Sequence, residues 1–192
     1  MQDCGELAYF WPMNSIQVLD RTFVPFISAE KIAERIRQIG HEINERYKDK
    51  NPLFIGILNG SFIFAADLYR EMEMPCEITF MRVSSYTGTS SSGKVKELLG
   101  LGNSVKDRHL IVIEDIVDTG LTLQFILNEL QLQNPASIAT VSLLFKPKAL
   151  QVDIEPDFCG FETEPRFLLG YGLDYDGYGR NLKGIFVEEE KS

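Results

Sequence analysis

Between Ser28 and Lys48 the apolar residues return every three or four positions, at Ile32, Ile36, Ile39, Ile43 and Tyr47, with Glu34, Arg35, Glu42 and Glu45 between them. That period gathers the apolar side chains on one face of an α-helix, so the spacing predicts an amphipathic helix packed by that face, with Ser28 as its cap. The pattern then changes. LFIGIL (53–58) is apolar without a break, as a strand covered on both faces must be. NGS (59–61) reads as a tight turn and FIFAADLYREM (62–72) as a second helix. CEITFMRVS (76–84), LIVIE (110–114) and IATVSLLF (138–145) read as strands, and LTLQFILNELQLQ (121–133) as a helix. Strand alternating with helix implies an α/β fold: a central parallel sheet flanked by helices and joined by right-handed crossovers.

Two regions depart from this rhythm. Residues 86–104, YTGTSSSGKVKELLGLGNS, are rich in Ser, Thr and Gly with weak periodicity, which predicts a long mobile loop of the kind that serves as a lid, with room for a short hairpin. Residues 157–162, 167–182 and 184–189 are rich in Gly and aromatics and carry no helical period. They are expected to add edge strands or a small cap over the carboxyl ends of the strands, together with N-terminal residues. No repeat or linker is apparent, so one domain over residues 1–192 is expected.

Composition narrows the partners. The net charge of −9 repels polyanions, so nucleic acid is not expected, and any phosphate site must be built locally from amides, a few cations or a metal ion. No apolar run is long enough to span a membrane, and MQDCGELAYFWPMNS lacks the basic start and apolar stretch of a targeting segment; a cytoplasmic protein with no membrane partner is expected. Cys4, Cys76 and Cys159 belong to no CxxC pair, and His41 and His109 lack partners at ligand spacing. Cys76 and Cys159 suit buried apolar positions, and His41 and His109 structural or surface roles.

Residues 114–122, EDIVDTGLT, lie between LIVI and an amphipathic run. In an open parallel sheet, ligands bind outside the carboxyl ends of the strands, so NGS, EDIVDTGLT and the residues from Lys146 onward should converge at one edge. Asp118, Thr119, Gly120, Leu121 and Thr122 open a helix, whose free amides and positive dipole end suit a phosphate dianion. Neither G-x-x-x-x-G-K-[ST] nor G-x-G-x-x-G is present. The plainer alternative is that Asp118 or Thr119 only caps the helix. Glu114 and Asp115 would repel a bare phosphate, but they suit a vicinal diol or the surroundings of a magnesium ion. A ribose 5-phosphate satisfies both halves of the motif, leaving Asp118 for acid–base work.

EDIVDTGLT after LIVI resembles the phosphoribosyl-diphosphate signature of the type I phosphoribosyltransferases. ILNGSFIFAADL, VSSYTGTSSSG, LLFKP, DFCGFE and FLLGYGLDY…RNL are similar, in the same order, to segments of the hypoxanthine phosphoribosyltransferases among them, and the likeness spans about residues 20–187. The resemblance implies transfer of a purine onto the anomeric carbon of 5-phosphoribosyl 1-diphosphate, with release of pyrophosphate and Mg2+ bound. It further implies that Asp118 is the acid–base residue and that Lys146 contacts the oxygen at the purine six-position. Phe167 would stack on the base while the Leu168 backbone reads the opposite edge. Asp174 would be a magnesium-site carboxylate, Arg180 a pyrophosphate contact, and Ser85 and Tyr86 the start of the flexible loop. Homodimers or homotetramers are implied as well.

In the first loop the family's usual lysine is replaced by Asn59, followed by Gly60, so a cation expected beside the leaving group is missing. The family's loop often carries a non-proline cis bond here. Three other readings stay open on sequence alone: a regulatory RNA-binding protein on the same fold, a nucleotide-binding module without turnover, and a transferase preferring xanthine or guanine.

Overall fold

The computed structural model describes residues 14–84, 96–99 and 104–190. In chain order it runs β1 (Ile16–Val18), β2 (Arg21–Ile27), α1 (Ala29–Tyr47), β3 (Leu53–Leu58), α2 (Phe62–Arg70), β4 (Glu77–Ser84), β5 (Lys96–Leu99) and β6 (His109–Val117). There follow α3 (Leu121–Gln131), β7 (Ser137–Phe145), β8 (Phe158–Glu162), β9 (Leu168–Leu169) and β10 (Ile185–Glu188). The larger sheet has the order β5-β4-β3-β6-β7-β8, parallel throughout except for β5, which pairs antiparallel with β4.

Both faces of that sheet are covered, which is why its central strands read as continuous apolar runs. Phe54, Ile111, Ile113, Ala139 and Val141 pack on one side with Ile32, Ile36, Ile39 and Ile43 of α1 and with Phe64 and Leu68 of α2. Ile55, Ile57, Leu110 and Val112 face the other side, against Leu123, Ile126 and Leu130 of α3. α1 begins as its spacing predicts, with Ser28 accepting from the Lys31 amide at 3.4 Å. α2 stops at Arg70 and α3 at Gln131, each two residues before the apolar pattern does, because Glu71 and Leu132 already close the last turns with their amides.

A second sheet, β1-β2-β10-β9, is antiparallel and forms the cap. Leu168, Tyr171, Leu173 and Ile185 join the core on the α1 and α2 side, so the cap shares the main hydrophobic cluster. For two regions the structure takes one of the forms expected from sequence, an edge strand at 158–162 rather than part of the cap, and a hairpin with β4 within 86–104. Residues 158–162 belong to the main sheet as its outer strand, because FCGFE pairs with β7 in register from Val141↔Phe158 to Phe145↔Glu162. The predicted loop 86–104 includes β5, and at its end Val105 is fully buried. The remainder of that loop falls outside the described residues, as do the N-terminal residues before position 14. No helix among the described residues is long and apolar enough to cross a membrane.

Arg35 secures the open edge at β8. Its Nη2 donates to the Cys159 carbonyl at 2.6 Å and its Nε reaches the Gly160 carbonyl at 3.2 Å. Carbonyls on a sheet edge are otherwise open to pairing with another chain. Arg35→Met is therefore expected to lower stability by about 1.5–3 kcal/mol, the range for hydrogen bonds to a charged group. Denaturant titration checks this, and a loss below about 0.5 kcal/mol would reduce Arg35 to an ordinary surface residue.

Candidate active site

Three loops meet at the carboxyl edge of the parallel strands, and their closest contact is made possible by glycine. A β-carbon at Gly60, just after β3, would overlap the Asp115 carboxylate of β6. One at Gly172, where φ is +100°, would overlap the Gly60 carbonyl. The cap segment is thus pressed onto the first loop, and the first loop onto the acidic strand end. Asn59 is exposed beside them, and the Leu58–Asn59 peptide is cis.

The same contact brings Asp174 and Arg180 to the acidic pair. Arg180 Nη2 lies 2.7 Å from Asp174 Oδ1 and Nη1 donates to the Gly172 carbonyl at 2.6 Å, while Asp174 Oδ2 accepts from the Gly177 amide at 2.7 Å. Asp115 is pushed up to about 6, first by burial and further by the Asp174 charge, against the opposing pull of its own amide, the Ile116 amide and Arg180. Glu114 is raised well above the carboxylate range by burial and by Asp115 beside it. Its Oε2 is cut off from solvent and has no hydrogen-bond partner. A buried acceptor left open in this way is a costly arrangement, of the kind that marks functional sites.

From sequence Glu114 and Asp115 are expected at the end of a strand, but β6 continues to Val117. Ile116 and Val117 keep register with Leu144 and Phe145 of β7, so the acidic pair lies within the ladder and only Asp118 emerges from it.

After Asp118 the chain turns sharply into α3. Gly120 is the first capping position and sits in the left-handed region at φ +77°, where side chains of Leu150, Val152 and Ile154 fill the space of a β-carbon. Whereas α1 has Ser28 as cap and Glu30 in its first turn, α3 has neither a side-chain cap nor an acid there. The Thr119 hydroxyl reaches the Leu121 amide only at 3.5 Å, so the plain capping alternative finds little support. Leu121 and Thr122 are exposed at this amide-rich end.

Lys146 leaves β7 and lies 6% exposed, yet its Nζ is 2.7 Å from Asp118 Oδ2. Its backbone is fixed on both sides, the amide donating to the Val117 carbonyl at 2.9 Å and its carbonyl accepting from Ala149 at 3.0 Å. Phe167 is 38% exposed on the cap, while Leu168 next to it is buried and paired with Val187. Ser85 and Tyr86 lie outside the described residues.

Ser61, Gly172 and the cap hairpin also contribute, beyond the residues expected from sequence. Ser61 is fully buried, and its hydroxyl donates to the Ile57 carbonyl at 2.6 Å, pinning the first loop. In β1 and β2 the signal was present: IQV and RTFVPFI flank a two-residue Leu-Asp turn, with Pro25 obscuring the strand pattern.

The comparison with known proteins agrees with this arrangement. A family model for the phosphoribosyl transferase domain matches residues 27–176. Hypoxanthine-guanine phosphoribosyltransferase of Bacillus subtilis is 43% identical over 162 residues, covering 84% of this chain and 90% of that one. Hypoxanthine-guanine-xanthine phosphoribosyltransferase of Tritrichomonas foetus is 38% identical over 179 residues, covering 93% and 98%. The crystal structure of a hypoxanthine phosphoribosyltransferase from Staphylococcus aureus superimposes with a TM-score of 0.82 at 36% identity, covering 86% of this chain and 90% of that one. An acidic strand running into an uncapped helix, a lysine at the end of the next strand and a cap closing over both thus come with a domain-wide likeness, and the chain belongs to the phosphoribosyl transferase family, with hypoxanthine phosphoribosyltransferases among its relatives.

Proposed function

We propose that this chain is a purine-salvage transferase, moving the phosphoribosyl group of 5-phosphoribosyl 1-diphosphate onto hypoxanthine, and more slowly guanine, to give IMP or GMP and pyrophosphate in the cytoplasm. The observation that carries the reading is the juxtaposition of two carboxylates with a helix N-terminus that has no cap of its own. Carboxylates with unused lone pairs suit the ribose hydroxyls, and free amides with the Thr119 and Thr122 hydroxyls suit the 5-phosphate. Asn59 and Gly60 border the diphosphate, where Arg180 supplies the cation that Asn59 lacks.

Departure of pyrophosphate leaves positive charge on the sugar, so Glu114 and Asp115 beneath it stabilise the oxocarbenium-like state. Asp118 takes the proton from the imidazole nitrogen as it bonds to carbon, Lys146 donates to the six-oxygen, Phe167 stacks on the base and the Leu168 backbone reads its far edge. Before the base arrives, Lys146 and Asp118 hold each other.

Among the described residues no cluster of His, Cys, Asp or Glu suffices to hold a metal unaided. Magnesium is nonetheless compatible with the donor set, since it keeps several waters and takes one or two carboxylates together with substrate phosphates. Asp174, with Glu114 and Asp115, would hold it, and when bound it neutralises charge on the diphosphate.

A homo-oligomer, dimer or tetramer, belongs to the same proposal. A groove of about 840 Å³ between α1, α2 and residues 181–186 has an apolar floor that includes Ile32, Ile36 and Ile63. On its rim Glu30, Asp67 and Glu71 are balanced by Arg37, Arg70 and Lys183, so a second copy can approach there despite the overall charge of −9. Sedimentation of Ile63→Asp is expected to give a smaller species than wild type; an unchanged species would remove the groove as the contact.

Asp118→Asn is expected to lower turnover roughly 10²-fold or more with nucleotide binding retained. Lys146→Ala should raise KM for the base and leave 5-phosphoribosyl 1-diphosphate nearly unaffected. Steady-state kinetics check both, and near-normal turnover or equal weakening of both substrates would contradict the respective role.

The acidic pair also sets a pH dependence. With its folded value raised to about 6 from 3.8, Asp115 binds more protons folded than unfolded between those values, so the ligand-free protein loses stability as pH rises through about 4 to 6. Asp115→Asn removes this dependence on pH. Thermal unfolding at pH 8 is expected to show the variant more stable than wild type, the difference fading below about pH 4. A variant equally destabilised at both pH values would show that the carboxylate supports the fold rather than straining it.

A further inference from the structure

The cap holds a cluster of rings around a cation that none of the steps above uses. The Arg21 guanidinium carbon lies over the Phe167 ring at 5.1 Å from its centroid and over the Tyr175 ring at 4.6 Å. The two rings meet edge to face at 5.7 Å. Phe23, fully buried, backs them at 6.1 Å from Phe167 and 6.4 Å from Tyr175. Arg21 is held from behind by Glu188, Nη1 to Oε2 3.1 Å, and the Glu188 amide donates to the Phe167 carbonyl at 2.9 Å. Tyr175 is tied back by its hydroxyl, which donates to Asp20 Oδ1 at 2.7 Å.

This arrangement contributes little to stability. The Arg21 and Glu188 side chains are 36% and 34% exposed, and pairs so open to water are worth little. Its effect falls on Phe167, an aromatic ring left 38% exposed at the mouth of the cap. A guanidinium over the ring and a second ring at its edge restrict the rotation that a solvent-facing Phe otherwise keeps. Ordering such a side chain at the moment of binding is one of the terms that lowers affinity, so a ring ordered beforehand binds more tightly.

We infer that Arg21 is a positioning residue for the purine: anchored by Glu188, it fixes the Phe167 ring in the orientation that stacks on the base. This rests on the proposed role of Phe167 as the stacking ring. Arg21 has no part in the contacts proposed for base or sugar; acting through Phe167, it is expected to change base affinity alone.

Steady-state kinetics on the full chain with hypoxanthine and 5-phosphoribosyl 1-diphosphate test it. Arg21→Met is expected to raise KM for hypoxanthine about two- to five-fold, with kcat and KM for 5-phosphoribosyl 1-diphosphate near their wild-type values. Arg21→Lys should recover part of the loss, because it restores the cation without the flat stack. Glu188→Gln should act in the same direction more weakly, and the last two variants carry the test alone if Arg21→Met does not fold. An unchanged KM for hypoxanthine, or an equal rise for both substrates, would overturn the inference. A fall in KM for hypoxanthine would overturn it too, placing Arg21 in the base's own position on the ring. Phe167→Leu separates the two levels. If it leaves KM for hypoxanthine unaltered, the stacking role itself fails; if it raises KM while Arg21→Met does not, only the role of Arg21 fails.

Discussion

The site depends on a contact in which two backbones and one carboxylate occupy space that side chains would fill. Gly60 leaves room for Asp115, and Gly172 leaves room for the Gly60 carbonyl. Remove that closeness and the pieces separate: the first loop no longer lies against the acidic strand, and the segment bearing Asp174 and Arg180 no longer reaches it. The contact packs Gly60 directly against Asp115, and burial is the largest cause of the upward shift of both Asp115 and Glu114. Packing at two glycines thereby brings the charged groups of the pocket together.

The body of the fold is legible in the chain because both sheet faces are covered. Continuous apolar strands and a helical stripe from Ile32 to Tyr47 leave few alternatives, and α1, β3, β6, α3 and β7 stand where periodicity puts them. Legibility fails where a short segment is positioned by tertiary contact. Nothing in DFCGFE distinguishes a sixth main-sheet strand from a cap strand; only its register against Val141–Phe145 decides that. β9 is two residues long and exists because β10 pairs with it.

Within the site, the motif EDIVDTGLT conveys residue types but not their environments. That Glu114 has an unpartnered buried oxygen, and that Asp118 is matched with Lys146 across a separation of 28 residues, depends on how β6 and β7 align. Arg21 escaped notice for a similar reason. As one charged residue at the start of a short strand it looks like a solvent-facing position, and its significance lies entirely in the rings that the cap folds around it.

Residues 167–182 form one ribbon that passes from Phe167 and Leu168, assigned to the base, through Gly172 to Asp174 and Arg180, assigned to the diphosphate. It is fastened at intervals, within the cap to β10 by Phe167 and to Asp20 by Tyr175, and to Asp67 of α2 by the Tyr171 hydroxyl at 2.6 Å. On the proposed reading, the incoming and outgoing groups are therefore gripped by a single length of backbone. A movement of the ribbon as a whole would shift both sets of contacts together, whereas a change confined to the Phe167 ring leaves the fastened backbone, and with it Asp174 and Arg180, where they are.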